Sequence, residues 1–310
     1  MLSVVIPAYN EAGAISQAAQ SIGQVLRNAD IPYELIFVDD GSADSSWEEI
    51  MQTAEQDPTV RGISFSRNFG KEAAIFAGME VSKGECCAVM DCDLQHPPEK
   101  LPEMYALWQQ GWEVVNGVKT DRGQESGLHS FAAKTFYSIM SKAIRLDMSR
   151  ASDFKLMDRR VVKTLLDLSE HKTFFRALVA WAGFRTAEVE FSVAERTVGD
   201  THWSTASLFR YAISNIAAYS SAPMQIVTVL GVLTLLLSLV LGVQTLVNWA
   251  CGGAADGFTT VIILMLLIGS ILMISLGIIG YYIAQIFIEV KARPRYLVAR
   301  ACGQERNGQV

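Results

Sequence analysis

The segment "CCAVMDCDLQHPP", residues 86–98, runs from apolar side chains directly into two aspartates, Asp91 and Asp93. Like charges one residue apart repel each other, and a divalent cation with an anion beyond it would make the pair favourable. By spacing alone the D-x-D pattern is common and predicts a solvated loop. A position at the end of a central strand favours instead a site for Mg²⁺ or Mn²⁺, which bind carboxylate and phosphate oxygens.

Upstream of this segment, short β-rich runs alternate with segments of helical periodicity. The runs are residues 2–7, 34–39, 62–66 and 86–91, and the helical segments between them are 12–28, 45–56 and 71–82. A further helix is expected over 98–110 and a further strand over 113–118. Near-continuous apolar strands separated by helices predict a doubly wound α/β domain with a mostly parallel sheet. Such sheets bind ligands at the carboxyl ends of their strands.

Polar and acidic residues follow all four runs, in "PAYNE", "VDDGSADSS", "SRNFGKE" and "DCDLQH". Part of this pattern has a structural alternative, because Asn10, Ser42 or Asp44 could cap helices. Two adjacent aspartates, Asp39 and Asp40, exceed what a cap requires, so at least one could accept hydrogen bonds from a nucleobase or ribose. Neither GxGxxG nor GxxxxGK[ST] occurs, which leaves a dinucleotide fold or a P-loop unsupported.

Basic residues near these turns could be solvated or could face a diphosphate. Lys71 stands at the start of a predicted helix, where a phosphate would be favoured. The other candidates are Arg67, Lys119, Arg122 and Lys134. The net charge of −6 and the lack of a basic stripe interleaved with aromatics argue against nucleic-acid binding. The five cysteines form no CxxC pair, so reduced thiols without assigned chemistry are expected.

Two long uncharged spans occupy the C-terminal third of the chain. No charged residue lies between Arg210 and Asp256, or between Asp256 and Glu289. Each span exceeds the ~20 apolar residues that cross a bilayer, which predicts transmembrane helices over 224–249 and 258–288. The predicted organisation is therefore a soluble domain (1–203), an amphipathic helix (204–222), a membrane hairpin (223–290) and a tail (291–310). The amphipathic helix could pack on the soluble domain or lie in the membrane interface.

The basic residues that flank the spans predict the orientation of the hairpin. Arg196 and Arg210 precede it, whereas the loop "ACGGAADG" between the spans has no lysine or arginine. Four basic residues follow it: Lys291, Arg293, Arg295 and Arg300. The positive-inside rule then predicts that the large N-terminal domain and both termini are in the cytoplasm. The N-terminal "MLSVVIPAYNEAG" lacks the charged region of a signal peptide.

Taken together, several segments resemble the family 2 glycosyltransferases that load a sugar onto a polyprenyl phosphate. They are "VVIPAYNE", "VDDGSADSS", "SRNFGKEAAIFAGME", "MDCDLQHPPE", "ASDFKLMDRR" and "KARPRYLV". The sequence is most similar to bacterial bactoprenol glucosyltransferases, with dolichol-phosphate mannose synthases and aminoarabinose-transferring enzymes as relatives. The resemblance spans residues 3–298 and implies a GT-A fold, a Rossmann-like sheet followed by the juxtamembrane helix and two transmembrane helices.

The resemblance also implies roles for individual residues. Asp91 and Asp93 would bind Mg²⁺ or Mn²⁺, and the catalytic set would be Asp93, Gln95 and Asp153, the last as a base or an organiser of the acceptor. The nucleotide sugar would contact Pro7, Tyr9, Glu11, Asp39, Asp40, Lys71, Asp91, Cys92 and Lys119. The acceptor phosphate would contact Lys134, Arg196 and His202. The family often has lysine in place of His202 and arginine in place of Lys119, so these two phosphate contacts are weaker or pH-dependent here.

The expected reaction is the transfer of a hexose, with inversion, from a nucleotide diphosphate sugar to undecaprenyl phosphate at the bacterial cytoplasmic membrane, for modification of a cell-envelope glycan. The favoured donor is UDP-glucose, with N-acetylglucosamine, mannose or aminoarabinose as alternative sugars. A processive polysaccharide synthase fits less well, because Q-x-x-R-W is absent after the D-x-D. A non-catalytic scaffold or flippase partner is the alternative from another class. The expected partners are membrane lipids but no nucleic acid, and the sequence leaves room for a homo-oligomer.

Overall fold

The computed structural model describes residues 1–119, 152–168, 174–192, 222–251 and 258–303. Within these residues one sheet contains the strands β1 Leu2–Ala8, β2 Tyr33–Asp39, β3 Val60–Phe65, β4 Cys86–Val89, β5 Val114–Lys119, β6 Lys155–Asp158, β7 Thr186–Phe191 and β8 Val298–Cys302. The helices are α1 Ile15–Asn28, α2 Ser46–Gln56, α3 Lys71–Val81, α4 Leu101–Gln109, α5 Arg159–Asp167, α6 Phe175–Trp181, α7 Ala222–Ala250 and α8 Phe258–Val290. One 3₁₀ turn, Pro98–Lys100, leads into α4.

The strand order is β7-β5-β6-β4-β1-β2-β3-β8, and the sheet is mostly parallel, as the sequence predicts. β1 pairs in parallel with β2 and β4, β2 with β3, and β5 with β7. The two exceptions are β6, which runs antiparallel between β4 and β5, and β8, which runs antiparallel to β3. These exceptions arise from pairings between distant parts of the chain, which local periodicity cannot predict.

The boundaries of the predicted elements shift by a few residues. α1 begins at Ile15, so Asn10 is not its N-cap, and the side chain of Ala14 offers no cap either. Instead the carboxylate of Glu49 in α2 accepts hydrogen bonds from the amides of Gly13 and Ser16, at 2.6 and 2.9 Å. A carboxylate at this end of a helix satisfies unpaired N–H groups and complements the helix dipole.

Helices cover both faces of the sheet. Because side chains alternate along a strand, Val4 and Ile6 of β1 pack in the cluster that contains α1, whereas Val5 packs in the cluster that contains α3. Leu26 of α1 and Phe76 of α3 belong to these two clusters and are almost completely buried. Burial on both faces explains why the strands read as continuous apolar runs.

The segment after the second long helix belongs to the soluble domain, where the sequence indicated only a tail. β8 pairs with β3, and the amide of Ser66 donates to the carbonyl of Leu297 at 3.0 Å. The ring of Tyr296 stacks on Phe65 with centroids 4.9 Å apart, and its hydroxyl donates to Glu80. The last described residues therefore belong to the fold of the soluble domain.

Tyr296→Ala is expected to lower the free energy of unfolding of this domain by about 1–3 kcal/mol, since it removes the stacked ring and the hydroxyl together. Tyr296→Phe keeps the ring and should recover most of that loss. Thermal unfolding of the two purified variants and the wild type measures the difference. Equal melting temperatures for all three proteins would show that this contact does not hold the segment.

Two helices, α7 and α8, are long and apolar enough to cross a membrane by length and composition. The candidate membrane spans within them are Val227–Thr245 and Leu267–Val290, which have mean hydropathies of 2.3 and 2.1 and contain no buried residues. Three hydroxyls inside them bond along the helix: Thr234, Thr245 and Ser275 each donate to the carbonyl four residues earlier. Such bonds remove the cost of a bare hydroxyl in hydrocarbon. Of residues 204–222, expected to form the amphipathic helix, only Ala222 is described, and it is the first residue of α7.

Candidate active site

The parallel strands β1 to β4 place their carboxyl ends at one edge of the sheet, which is where ligands bind in open α/β folds. The strands lead there into segments 9–14, 40–45, 66–70 and 90–97. Most of the described residues that the sequence assigns to a nucleotide sugar lie in these segments. The candidate site is therefore formed by four neighbouring loops.

The first two loops are tied together by hydrogen bonds. The amide of Asn10 donates to Ser42 Oγ, and the amide of Glu11 donates to Ser46 Oγ, both at 2.9 Å. Asn10 adopts a positive φ of 54°, a left-handed conformation that asparagine tolerates better than most residues. Tyr9, in contrast, leaves 48% of its surface exposed beside this fixed backbone. Its ring is accessible to a flat ligand.

Asp39 and Asp40 are buried and already accept hydrogen bonds within the protein. Asp39 accepts from Ser64 Oγ at 2.6 Å, and Asp40 accepts from the amides of Phe69 and Gly70 at 2.7 and 2.9 Å. Burial raises the pKa of Asp40 despite these two amide bonds, and the charge of Asp39 adds to the rise. Gly70 has a φ of 101°, which favours glycine. Asp40 thus organises the loop before α3, whereas Asp39 binds a side chain of β3. The contact of either carboxylate with a nucleotide stays a prediction.

Asp91 and Asp93 lie just beyond β4, in a tight turn. Cys92 between them is 2% exposed, so the turn is anchored by a buried thiol. Asp93 Oδ1 accepts from the amide of Gln95 at 3.1 Å, and Leu94 has a φ of 56°. A leucine in this left-handed region is strained, and strain of this kind concentrates at functional sites.

His96 supports the same turn from inside the domain, and the sequence analysis did not single it out. It is 5% exposed, it stacks on Phe154 with ring centroids 5.1 Å apart, and its Nδ1 accepts from the amide of Asp91 at 3.3 Å. Burial lowers the pKa of His96, although the charge of Asp91 opposes that shift. The neutral ring can therefore accept this hydrogen bond and fix the backbone of the turn.

Asp153 is the centre of an ion-pair network next to the turn. Its carboxylate accepts from Arg176 Nε and Nη2 at 2.6 and 2.7 Å and from Lys71 Nζ at 3.0 Å. Lys71 Nζ also lies 2.6 Å from Asp91 Oδ1. Burial alone would raise the pKa of Asp153, but the Arg176 hydrogen bonds and the charges of Lys71 and Arg176 hold it well below its usual range. Asp153 is therefore expected to be ionised at neutral pH.

The remaining predicted residues are placed as follows. Pro7 lies in β1 opposite Val38, and Lys119 is the exposed last residue of β5. Gln95 follows Asp93 in the same turn and is partly exposed. The predicted acceptor contacts, Lys134, Arg196 and His202, lie outside the described residues, as does Arg122.

Comparison with known sequences decides the family. Residues 3–181 match the profile described as "Glycosyl transferase family 2", which is more than half of the chain. The chain belongs to glycosyl transferase family 2. It is 36% identical over 309 residues to the uncharacterized glycosyltransferase YkcC of Bacillus subtilis, covering 98% of this chain and 94% of that protein. The matches thus extend well past the catalytic profile.

Other relatives of this family 2 glycosyltransferase are named for a lipid acceptor. It is 32% identical over 301 residues to the prophage bactoprenol glucosyl transferase homolog of Escherichia coli K12, covering 96% of this chain and 98% of the relative. It is 31% identical over 299 residues to the bactoprenol glucosyl transferase of Shigella phage SfX, covering 96% and 98%. These matches include the two long apolar helices as well as the catalytic domain.

A solved structure confirms the fold of this glycosyltransferase. Glucosyl-3-phosphoglycerate synthase of Mycobacterium tuberculosis, solved with Mn²⁺ and UDP-glucose, superimposes with a TM-score of 0.51. The match has 19% sequence identity and covers 70% of this chain and 77% of that chain. The GT-A fold predicted from the sequence is therefore confirmed.

The carboxylate oxygens at this site fit a hard divalent cation whose remaining ligands come from a bound substrate. Among the described residues, no group of three or more His, Cys, Asp or Glu side chains is arranged to hold a metal by itself. Asp91 and Asp93 offer carboxylate oxygens at the edge of the sheet, and both are partly exposed. Mg²⁺ and Mn²⁺ accept such incomplete oxygen sites when substrate phosphates supply the other ligands.

Arg176 is the most important residue of this site that the sequence analysis missed. It is the single charged residue of α6, in "FRALVAW". A lone arginine in an otherwise apolar helix is a weak signal for a buried carboxylate partner, because lysine and arginine are rarely buried unpaired. The partner, Asp153, is 23 residues earlier, which is why the pairing could not be read from local spacing.

Glu72 gives the site a pH-dependent contribution to stability. Its Oε2 accepts from the amide of Phe175 at 2.9 Å. Burial raises the pKa of Glu72 from 4.5 to about 7, and the nearby charge of Asp153 adds to the rise. A carboxyl group with a higher pKa in the folded chain costs stability as it ionises, so this cost grows between pH 4.5 and about 7.

Glu72→Gln keeps an oxygen acceptor for Phe175 and removes the ionisation. The variant is expected to gain roughly 1–3 kcal/mol relative to the wild type on going from about pH 5 to about pH 8. Melting temperatures of both proteins across that range measure the gain. Glu99→Gln, at an exposed position, is the control and should show no such trend. A difference between Glu72→Gln and wild type that does not change with pH would contradict the assignment.

Proposed function

We propose that this protein transfers a hexose, with glucose favoured, from a nucleotide diphosphate sugar to undecaprenyl phosphate, with inversion at the anomeric carbon. The observation that carries the proposal is the pairing of two features at one sheet edge. The D-x-D turn after β4 lies beside the network of Lys71, Asp153 and Arg176. Near full-length relatives named bactoprenol glucosyl transferase support the lipid acceptor.

Under this proposal, the donor occupies the crevice formed by the four loops. The exposed ring of Tyr9 would lie against the base, with Pro7, Glu11, Asp39 and Asp40 around the base and ribose. Asp91 and Asp93 would hold Mg²⁺ or Mn²⁺, and a cation bound there would neutralise the charge that develops on the diphosphate leaving group. Further donor contacts are assigned to Lys71, Gln95 and Lys119. The thiol of Cys92 is buried, so this residue could contact the donor only through its backbone.

The acceptor needs little base catalysis. A phosphate monoester has a second pKa of about 6, so it is largely dianionic near neutral pH and already nucleophilic. Asp153, whose pKa is held low and whose oxygens are paired with Arg176 and Lys71, is poorly suited to accept a proton. We therefore assign Asp153 the role of a positioning group. Lys134, Arg196 and His202 are the proposed contacts to the acceptor phosphate.

The hairpin would keep the active site next to the membrane that holds the acceptor. β8 follows both long helices and pairs with β3, so it belongs to the catalytic domain. Two membrane spans between β3 and β8 are compatible with this pairing, because an even number of spans leaves both strands on the same side of a membrane. Together with the basic residues that flank the hairpin, this supports a cytoplasmic catalytic domain with both termini on the cytoplasmic side of a bacterial inner membrane.

This topology predicts that Cys251, which is exposed at the end of α7, reacts with a membrane-impermeant thiol reagent in intact cells. Cys302 in β8 is partly exposed and should react only after lysis, which makes it the internal control. Mass spectrometry of the labelled peptides distinguishes the two sites. Labelling of Cys302 but not Cys251 in intact cells would contradict the proposed topology.

The test of the proposed function is a panel of labelled nucleotide sugars. Membranes that contain the protein, and matched membranes without it, are given each donor with undecaprenyl phosphate. The proposal expects protein-dependent label in the lipid extract, with UDP-glucose as the best donor. Label from another sugar would change the proposed donor. Protein-dependent transfer to a water-soluble acceptor alone would contradict the proposal of a lipid acceptor.

A further inference from the structure

One ammonium group serves two carboxylates in the candidate site. Lys71 Nζ lies 2.6 Å from Asp91 Oδ1 and 3.0 Å from Asp153 Oδ2. Asp91 follows β4 and Asp153 precedes β6, two strands that pair antiparallel. Lys71, which begins α3, therefore joins the turn proposed to hold the cation to the carboxylate proposed to position the acceptor.

The position of Lys71 has a consequence for any cation on Asp91. A second positive charge within a few ångström of the ammonium would be repelled by it, and both would compete for the same carboxylate. Asp91 is 28% exposed and Lys71 is 43% exposed, so neither group is locked in the interior. The competition can therefore be resolved by movement of the lysine side chain.

Asp153 does not depend on Lys71 alone. Arg176 contacts both of its oxygens, at 2.6 and 2.7 Å, and these bonds remain if the lysine turns away. A buried carboxylate left without a partner would be costly, but a bidentate arginine removes that cost. Lys71 is thus the exchangeable partner in this network and Arg176 the fixed one.

We propose that Lys71 is an internal counter-ion of Asp91, which keeps the affinity for a divalent cation low until a nucleoside diphosphate binds. The diphosphate offers oxygen ligands to the cation and an alternative anionic partner to the lysine. Cation and nucleotide then bind as a unit. This inference rests on the proposed function, which assigns Asp91 and Asp93 to the cation.

Binding of Mn²⁺ tests the inference without any transfer reaction. The purified full-length protein is titrated with Mn²⁺, with and without UDP, and free Mn²⁺ is followed by electron paramagnetic resonance. We expect UDP to raise the Mn²⁺ affinity of the wild type by at least about tenfold. Lys71→Met should bind Mn²⁺ about tenfold more tightly than the wild type when UDP is absent, and should gain less from UDP.

Three variants separate this effect from a general change of charge or fold. Lys71→Arg keeps the positive charge and should behave like the wild type. Lys83→Met removes an exposed lysine at the opposite end of β4 and should leave Mn²⁺ binding unchanged. Lys71→Gln replaces Lys71→Met if the latter does not retain a cooperative thermal transition, and the same gain in affinity is expected of it.

The possible results distinguish the inference from the proposed function. If the wild type binds Mn²⁺ equally well with and without UDP, or if the Lys71 variants without the charge bind it no more tightly, the counter-ion role is wrong and the cation site stands. If the wild type binds no Mn²⁺ even with UDP, the assignment of Asp91 and Asp93 to a cation is wrong. The wild-type comparison needs no variant, so misfolding cannot obscure it.

Discussion

Asp93→Asn is expected to lower the rate of hexose transfer to undecaprenyl phosphate by at least about a hundredfold. The amide has the shape of the carboxylate but lacks the charge that would hold a cation against the leaving diphosphate. Loss of a single preorganised electrostatic contact in the transition state typically costs this much. Initial rates with purified wild type and variant, at saturating UDP-glucose, measure the effect.

Asp57→Asn is the matched control for this experiment. Asp57 Oδ1 accepts from the amide of Thr59 at 2.9 Å, the same two-residue turn that Asp93 makes with Gln95 at 3.1 Å. Asp57 precedes β3, whereas Asp93 follows β4, so the two turns lie at opposite ends of parallel strands. Equal rates for wild type and Asp93→Asn would contradict the cation assignment. An Asp93→Asn protein that loses transfer but keeps its biological role would support the scaffold alternative.

Arg176→Gln is expected to lower the transfer rate by about ten- to a hundredfold, because Asp153 loses the bidentate partner that fixes its position. The sign of the pH effect follows from the depressed pKa of Asp153 in the wild type. Without Arg176 that pKa rises, so Asp153 becomes protonated at a higher pH. The transfer rate of the variant, relative to that of the wild type, should therefore decrease further as the pH falls from about 8 to about 5.5.

Arg176→Lys keeps the charge without the bidentate geometry and should recover part of the rate. Arg185→Gln, at an exposed position, is the control and should leave both rate and pH profile unchanged. The turnover number and KM are measured for each variant across the pH range. If Arg176→Gln lowers the transfer rate equally at every pH, and Arg176→Lys lowers it as much, Arg176 has only a structural role.

The elements that could be predicted from the sequence are those with a local signature. β1 to β4 and α1 to α3 repeat a periodicity within windows of about a dozen residues, and the D-x-D turn follows directly from the fourth apolar run. Asp91 and Lys71 could be placed at strand and helix ends for the same reason. The order of the remaining strands could not be predicted in this way.

The features that escaped prediction depend on contacts between distant segments. β6 lies between β4 and β5, and β8 pairs with a strand more than two hundred residues earlier in the chain. Arg176 in α6 reaches Asp153, which lies just before β6, and the buried ring of His96 accepts a hydrogen bond from the amide of Asp91. Asp39 and Asp40 could be placed at a strand end from the sequence, but their hydrogen bonds to Ser64 of β3 and to the amide of Phe69 could not.

The most direct test of the account is the stoichiometry of the reaction with purified protein, Mg²⁺ or Mn²⁺ and UDP-glucose. UDP release and lipid-linked hexose are measured together, in the presence and absence of undecaprenyl phosphate. The account predicts that UDP is released only with the lipid phosphate present and in equal amount to a glucosylated lipid. Equal UDP release without the lipid phosphate, or hexose in a growing polysaccharide, would contradict it.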